Sequence, residues 1–106
     1  MARVPLKRGL LSGRFNEHWT FDEGDRRQQI LAPDKLPALV AKVRQIEAAV
    51  ADLSRPLAEV AVRFCVSNPH VAVTIPGIRT PAQATTNAAA CEPLPAAVLA
   101  RLRQLA

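Results

Sequence analysis

The run Val71-Ala72-Val73-Thr74-Ile75 is β-branched, lacks polar alternation and stops at Pro76-Gly77. That is how a strand covered on both faces of a parallel sheet is written. Such a strand needs neighbours, because each of its edges presents unpaired N–H and C=O groups. The chain offers only one other candidate strand, within Ala2–Leu6, where Val4 and Leu6 are apolar. Residues 1–106 therefore read as a single partial domain, either a piece of a larger sheet structure or a chain that covers its strands by association. A chain of this size buries only about two-thirds of the surface its unfolded form exposes, so a missing piece of core is felt directly in stability. With 49% hydrophobic and 22% charged residues it is not an intrinsically disordered sequence.

Most of the remainder reads as helix. Leu36, Leu39, Val43, Ile46, Val50 and Leu53 recur three and four residues apart, which lays one apolar stripe along a helix. Ser54-Arg55-Pro56 then reads as an N-cap with Pro in the first turn, opening a second helix whose Leu57, Val60, Ala61, Phe64 and Cys65 share a face before Asn68-Pro69 stops it. Thr80-Pro81-Ala82-Gln83 is a capping-box pattern that predicts a third helix from Pro81 to about Ala90. After Glu92-Pro93 a last amphipathic helix carries Val98, Leu99, Leu102 and Leu105 on one side and Arg101 and Arg103 on the other. From Asn16 to Lys35 the composition turns polar. A connection of about twenty residues is uncommon in a compact domain unless it is a lid or binding loop, or holds a short helix such as Asp25–Leu31. Trp19 and Phe21 within it are expected to pin the loop, as isolated loop aromatics usually do.

Fourteen Lys and Arg against nine Asp and Glu give a net charge of +5, which suits anionic partners without choosing among them. The arginines are spread over the chain rather than gathered on one helix face, which argues against nucleic acid. The charged N-terminal residues are not followed by an uninterrupted apolar stretch, so neither a signal peptide nor a membrane span is expected, and the expected location is the cytoplasm. Cys65 and Cys91 lie in segments read as helical, without CxxC spacing, and are expected to be buried or semi-buried thiols. His18 and His70 are isolated from other ligand types, so no metal site is expected.

Two glycine-bearing turns, each after a candidate strand, carry the chemistry. The first is Pro5-Leu6-Lys7-Arg8-Gly9-Leu10-Leu11-Ser12-Gly13-Arg14 and the second is Ile75-Pro76-Gly77-Ile78-Arg79-Thr80-Pro81. In the second, the chain leaves a strand, turns at glycine and enters a helix whose first amides have no intrahelical acceptors. Such amides hold phosphate oxygens, with the helix dipole and Arg79 adding positive charge. In parallel barrels, phosphate sites are frequently built from the loops after the last two strands and a helix N-terminus.

At these residues the sequence resembles the aldo-keto reductases. PLKRGLLSGRF is similar to the loop after their seventh barrel strand, and VTIPGIRTPAQATTNAAA to their eighth strand and the helix after it. The resemblance covers essentially the whole chain. It implies an α/β fold, the C-terminal fragment of a (β/α)8 TIM barrel, mostly helical with two short parallel strands. A complete barrel takes about 250 residues, far more than are present. The family reduces aldehydes and ketones with NADPH, sometimes NADH. By the resemblance, Val4, Pro5, Leu6 and the Gly9–Gly13 loop lie along the cofactor pyrophosphate, with Arg14 at the place of a phosphate-contacting basic residue. Gly77, Arg79, Gln83 and Asn87 fall where the family binds the adenosine half. Ile78 stands where many relatives carry a polar residue, and Thr86 where many carry Glu.

The family's hydride chemistry uses an Asp, Tyr, Lys and His tetrad that lies upstream of the matching region, and this chain contains no tyrosine. The resemblance therefore implies a cofactor-binding part without catalytic residues of its own, partnered by a nicotinamide dinucleotide and by the N-terminal portion of the barrel. Two other readings of the same residues are a small basic helical binding protein and a self-associating interaction module that covers its own strand edges.

Overall fold

The computed structural model describes residues 1–105. Its elements follow the chain as β1 (Ala2–Arg3), α1 (Arg27–Ile30), α2 (Leu36–Ala49), α3 (Leu57–Val66), β2 (Thr74–Ile75), α4 (Pro81–Ala89) and α5 (Ala96–Gln104), with 3-10 turns at Lys7–Ser12 and Ala51–Leu53. The two strands pair in parallel, Ala2 opposite Thr74 and Arg3 opposite Ile75. The helical character and the two short parallel strands agree with the expectation for a barrel fragment. Both strands are shorter than expected. Val4 leaves the strand with φ +54°, and Val73 and Ile75, expected to be covered, are 53% and 49% exposed. With a single neighbouring strand there is nothing to lie over that face.

The apolar stripe of α2 faces inward at Leu36, Val40 and Val43, with Leu39 and Ile46 packed at its margin. Leu36, Leu31 and Val60 are the most deeply buried large side chains. Burying a side chain of this type contributes about 1.5–3 kcal/mol. The helix ends earlier than its stripe: Val50 caps it, and Leu53 belongs to a separate 3-10 turn. Ser54 is not the N-cap that the sequence suggests. It sits in the left-handed region at φ +50°, makes no capping bond, and α3 starts three residues beyond it, after Pro56.

Helix α3 buries Leu57, Val60, Ala61 and Val62. Glu59 on the same helix is buried between Arg55 and Arg63, each at 3.8 Å. Arg63 also donates to the carbonyls of Glu92 and Pro93 at 3.0 Å, which ties α3 to the link between α4 and α5. Helix α5 packs Val98 into the core, Arg101 on it donates to Asp52 of the 3-10 turn after α2 at 2.9 Å, and Lys42 of α2 donates to the carbonyl of Leu105, just past the end of α5. Cys65 is half-buried and Cys91, just past the end of α4, is exposed rather than semi-buried; both are free thiols. No helix among the described residues is long and apolar enough to cross a membrane.

Candidate functional site

The first turn begins where β1 stops. Lys7–Ser12 is a pair of 3-10 turns broken at Arg8 and Gly9, whose φ values of +61° and +93° are left-handed. Glycine takes that conformation without strain. A side chain at Gly9 would also lie 3.5 Å from Cζ of Phe15 and 3.6 Å from Nη1 of Arg27, so the backbone here passes close to the loop. Gly13 closes the turn at φ +76°, and the Ser12 hydroxyl donates to the Gly9 carbonyl at 2.6 Å.

The second turn leaves β2 at Pro76-Gly77 and enters α4. Thr80 is the N-cap, its hydroxyl accepting from the Gln83 amide at 3.2 Å. Gln83 reaches back as the pattern predicts, but its Oε1 accepts from the Arg79 amide at 2.7 Å, one residue earlier than the N-cap itself. Asn87, one turn further on, donates to the Gly77 carbonyl at 3.3 Å. Gln83 and Asn87 thus brace the turn that carries Arg79. This bracing uses up part of the expected amide cradle. Pro81 has no N–H, the Gln83 amide goes to Thr80, and the Ala84 amide goes to the Thr80 carbonyl. Among the first helical residues the Ala82 N–H remains without a protein acceptor.

Both turns open into one cleft of about 1130 Å³, and the strand pairing is what brings them together. Val4, Pro5, Leu6, Gly9, Arg14, Gly77, Arg79, Gln83 and Asn87 all line it. Thr86 lines it as well, whereas Ile78 is exposed and turned elsewhere. Sequence reasoning missed Arg3, Arg8, Glu23, Asp25, Arg26 and Arg27, which also line the cleft. The signal for the last four was the long polar loop around Gly24.

That loop is fastened by aromatic packing. Trp19 and Phe21 meet Phe15 with ring centroids 5.1 and 5.3 Å apart, so they pin the loop as expected. Arg27 lies over Phe21 at 4.9 Å and over Phe15 at 5.9 Å, a cation–π arrangement. Its Nη2 bonds to Asp25 Oδ2 at 2.6 Å and its Nε to Asp25 Oδ1 at 3.0 Å. The side-chain bond from Arg27, then the Arg27 amide, lower the Asp25 carboxyl from 3.8 to about 2, and Arg79 adds a smaller pull. The same pair raises the Arg27 guanidinium above its ordinary value.

Six arginines and two carboxylates therefore face one cavity. Its volume lies just above the ~300–1,000 Å³ found for small-molecule sites. The donor set and the size fit an extended, polyanionic ligand such as a dinucleotide. Among the described residues no group of His, Cys, Asp and Glu is arranged to hold a metal ion.

The sequence profile described as Aldo/keto reductase family matches residues 1–106, the whole chain. The chain belongs to the aldo/keto reductase family. No curated protein and no solved structure matched it. Aldo/keto reductases are oxidoreductases that generally depend on nicotinamide dinucleotides, so an oxidoreductase-type fragment is what this chain represents.

Proposed function

We propose that the chain is the C-terminal, cofactor-binding part of an NAD(P)H-dependent aldo/keto reductase that reduces carbonyls to alcohols, and that it is inactive on its own. The observation supporting this reading is the convergence of both glycine turns on one arginine-rich cleft. Val4, Pro5, Leu6, Gly9 and Arg14 would flank the pyrophosphate. Gly77, Arg79, Gln83 and Asn87 would take the adenosine half, with Arg79 supplying a cation for a 2′-phosphate and so favouring NADPH over NADH. When bound, the dinucleotide supplies the hydride. The chain's own residues bind and orient it. The protonating tyrosine must come from elsewhere, since the chain has none. The two free thiols suit a reducing, cytoplasmic setting.

NADPH titration, read by the emission of Trp19, tests this, because Trp19 packs on Phe15 beside Arg27. Weak quenching and no turnover are expected for the chain alone. Mixing it with a polypeptide carrying the first six strand–helix units of an aldo/keto reductase should tighten binding and restore carbonyl reduction. In that mixture Arg79→Ala should weaken NADPH by about tenfold or more, the loss of one charge-assisted hydrogen bond, and leave NADH nearly unchanged. Equal loss for both dinucleotides would remove the role given to Arg79, and no binding in the completed barrel would sink the reading.

A further inference from the structure

The two carboxylates in the arginine-rich cleft are not alike. Glu23 is exposed and takes part in no ion pair among the described residues. Asp25 is held in place. Its Oδ1 accepts from the Arg27 amide at 2.9 Å, and its two oxygens take Nε of the same arginine at 3.0 Å and Nη2 at 2.6 Å. The side-chain bonds from Arg27 hold the carboxyl at about 2, so it is ionised at neutral pH. A fixed negative charge beside bound phosphates opposes them by Coulomb repulsion. Such a group weakens an anion site unless it does something else for that site.

What it does is visible in the guanidinium. Nε and Nη2 are taken by Asp25, and the rings of Phe21 and Phe15 lie 4.9 and 5.9 Å from its carbon. A planar group held along one edge and over two rings has little freedom left. Its remaining nitrogen, Nη1, makes no hydrogen bond among the described residues and lies 3.6 Å from where a side chain on Gly9 would begin. The loop behind it is fixed in turn by Gln28, whose Nε2 donates to the carbonyls of Phe21 at 3.0 Å and Asp22 at 2.8 Å. All of these groups belong to the single stretch from Gly9 to Gln28.

We propose that Asp25 is a positioning residue of the cleft, which turns Arg27 so that its free Nη1 edge meets a diphosphate lying along the Gly9 turn. The proposal rests on the cofactor reading for the place of the diphosphate and adds to it the sign of the Asp25 contribution. Holding a long side chain in its binding conformation beforehand removes the ordering cost that binding would otherwise carry. That gain outweighs the repulsion from the carboxylate, because Arg27 itself neutralises most of its charge. Asp25 therefore strengthens anion binding although it is itself an anion, and only while Arg27 is present. Glu23, with no such partner, contributes repulsion alone.

Inorganic pyrophosphate titrated into the full chain and followed by phosphorus NMR is the test. Asp25→Asn keeps an oxygen for the Arg27 amide and loses the charge, and unchanged Trp19 emission and far-UV circular dichroism report an intact loop. It should weaken pyrophosphate about tenfold, the worth of one hydrogen bond to a charged group, although the cleft becomes more positive. Glu23→Gln should tighten binding roughly twofold, as expected for one unit charge several ångströms away in water. In an Arg27→Met background the sign should reverse, and adding Asp25→Asn should tighten binding. If Asp25→Asn does not fold, Arg27→Lys decides: it keeps the charge without the fork and should lose binding to the same extent. Unchanged or tighter binding by Asp25→Asn, an equal loss from Glu23→Gln, a loss that persists without Arg27, or a wild-type chain that binds no pyrophosphate overturns the proposal. The expected pattern with pyrophosphate, together with no NADPH binding in the completed barrel, would uphold the role of Asp25 and sink the cofactor reading instead.

Discussion

Asp25 links the loop to the cleft through a single partner. With its carboxyl lowered from 3.8 to about 2 on folding, its contribution to stability is complete above pH 3.8 and is lost as pH falls towards 2. Over that window Arg27 loses its acceptor and its hold over Phe21 and Phe15, so the emission of Trp19 should change in a step that Asp25→Asn abolishes. An acid titration that is identical in the two proteins would remove Asp25 from this role. Gly9 illustrates what could be read at this scale. Its place in a tight turn was legible, because a glycine between Arg8 and Leu10 after a strand has few other uses, and the structure puts it at φ +93°. The guanidinium of Arg27 beside it was not legible. That contact depends on how a distant loop folds back, and no local pattern encodes it.

Among the elements, α4 has the clearest local logic. Thr80→Ala removes the acceptor for the Gln83 amide and should cost about 1 kcal/mol, read in chemical denaturation as a lower midpoint with an unchanged slope. The same substitution frees the Gln83 amide towards the cleft, so stability and anion affinity can move in opposite directions. Helices α2 and α4 could be read from the sequence because stripes and caps are short-range signals. Ser54 misled because a Ser before Arg-Pro looks like a cap wherever it stands, whereas here the 3-10 turn over Ala51–Leu53 carries the chain into a left-handed residue before α3 begins. The extent of β2 was overstated for a different reason. Val71–Ile75 is written for neighbours on both sides, and only Thr74–Ile75 pairs when one neighbour is present.

For the whole molecule, a ligand that binds the folded state and not the unfolded one raises the unfolding temperature with ligand concentration. NADPH added to the chain completed with the N-terminal barrel portion should therefore raise the melting temperature in calorimetry, and Arg79→Ala should shrink that rise. The gathering of nine candidate residues in one cleft could be anticipated because it rests on a motif pair at a fixed distance. The cationic total of the cleft could not, since it draws arginines from both turns and the long loop. The parallel pairing of Ala2–Arg3 with Thr74–Ile75 has a further effect during synthesis. At about 5–20 residues per second, the ribosome needs roughly 4–14 s to make the stretch between them. The edge of β1 that β2 will cover emerges that long before its mate, within reach of any chaperone that binds open backbone.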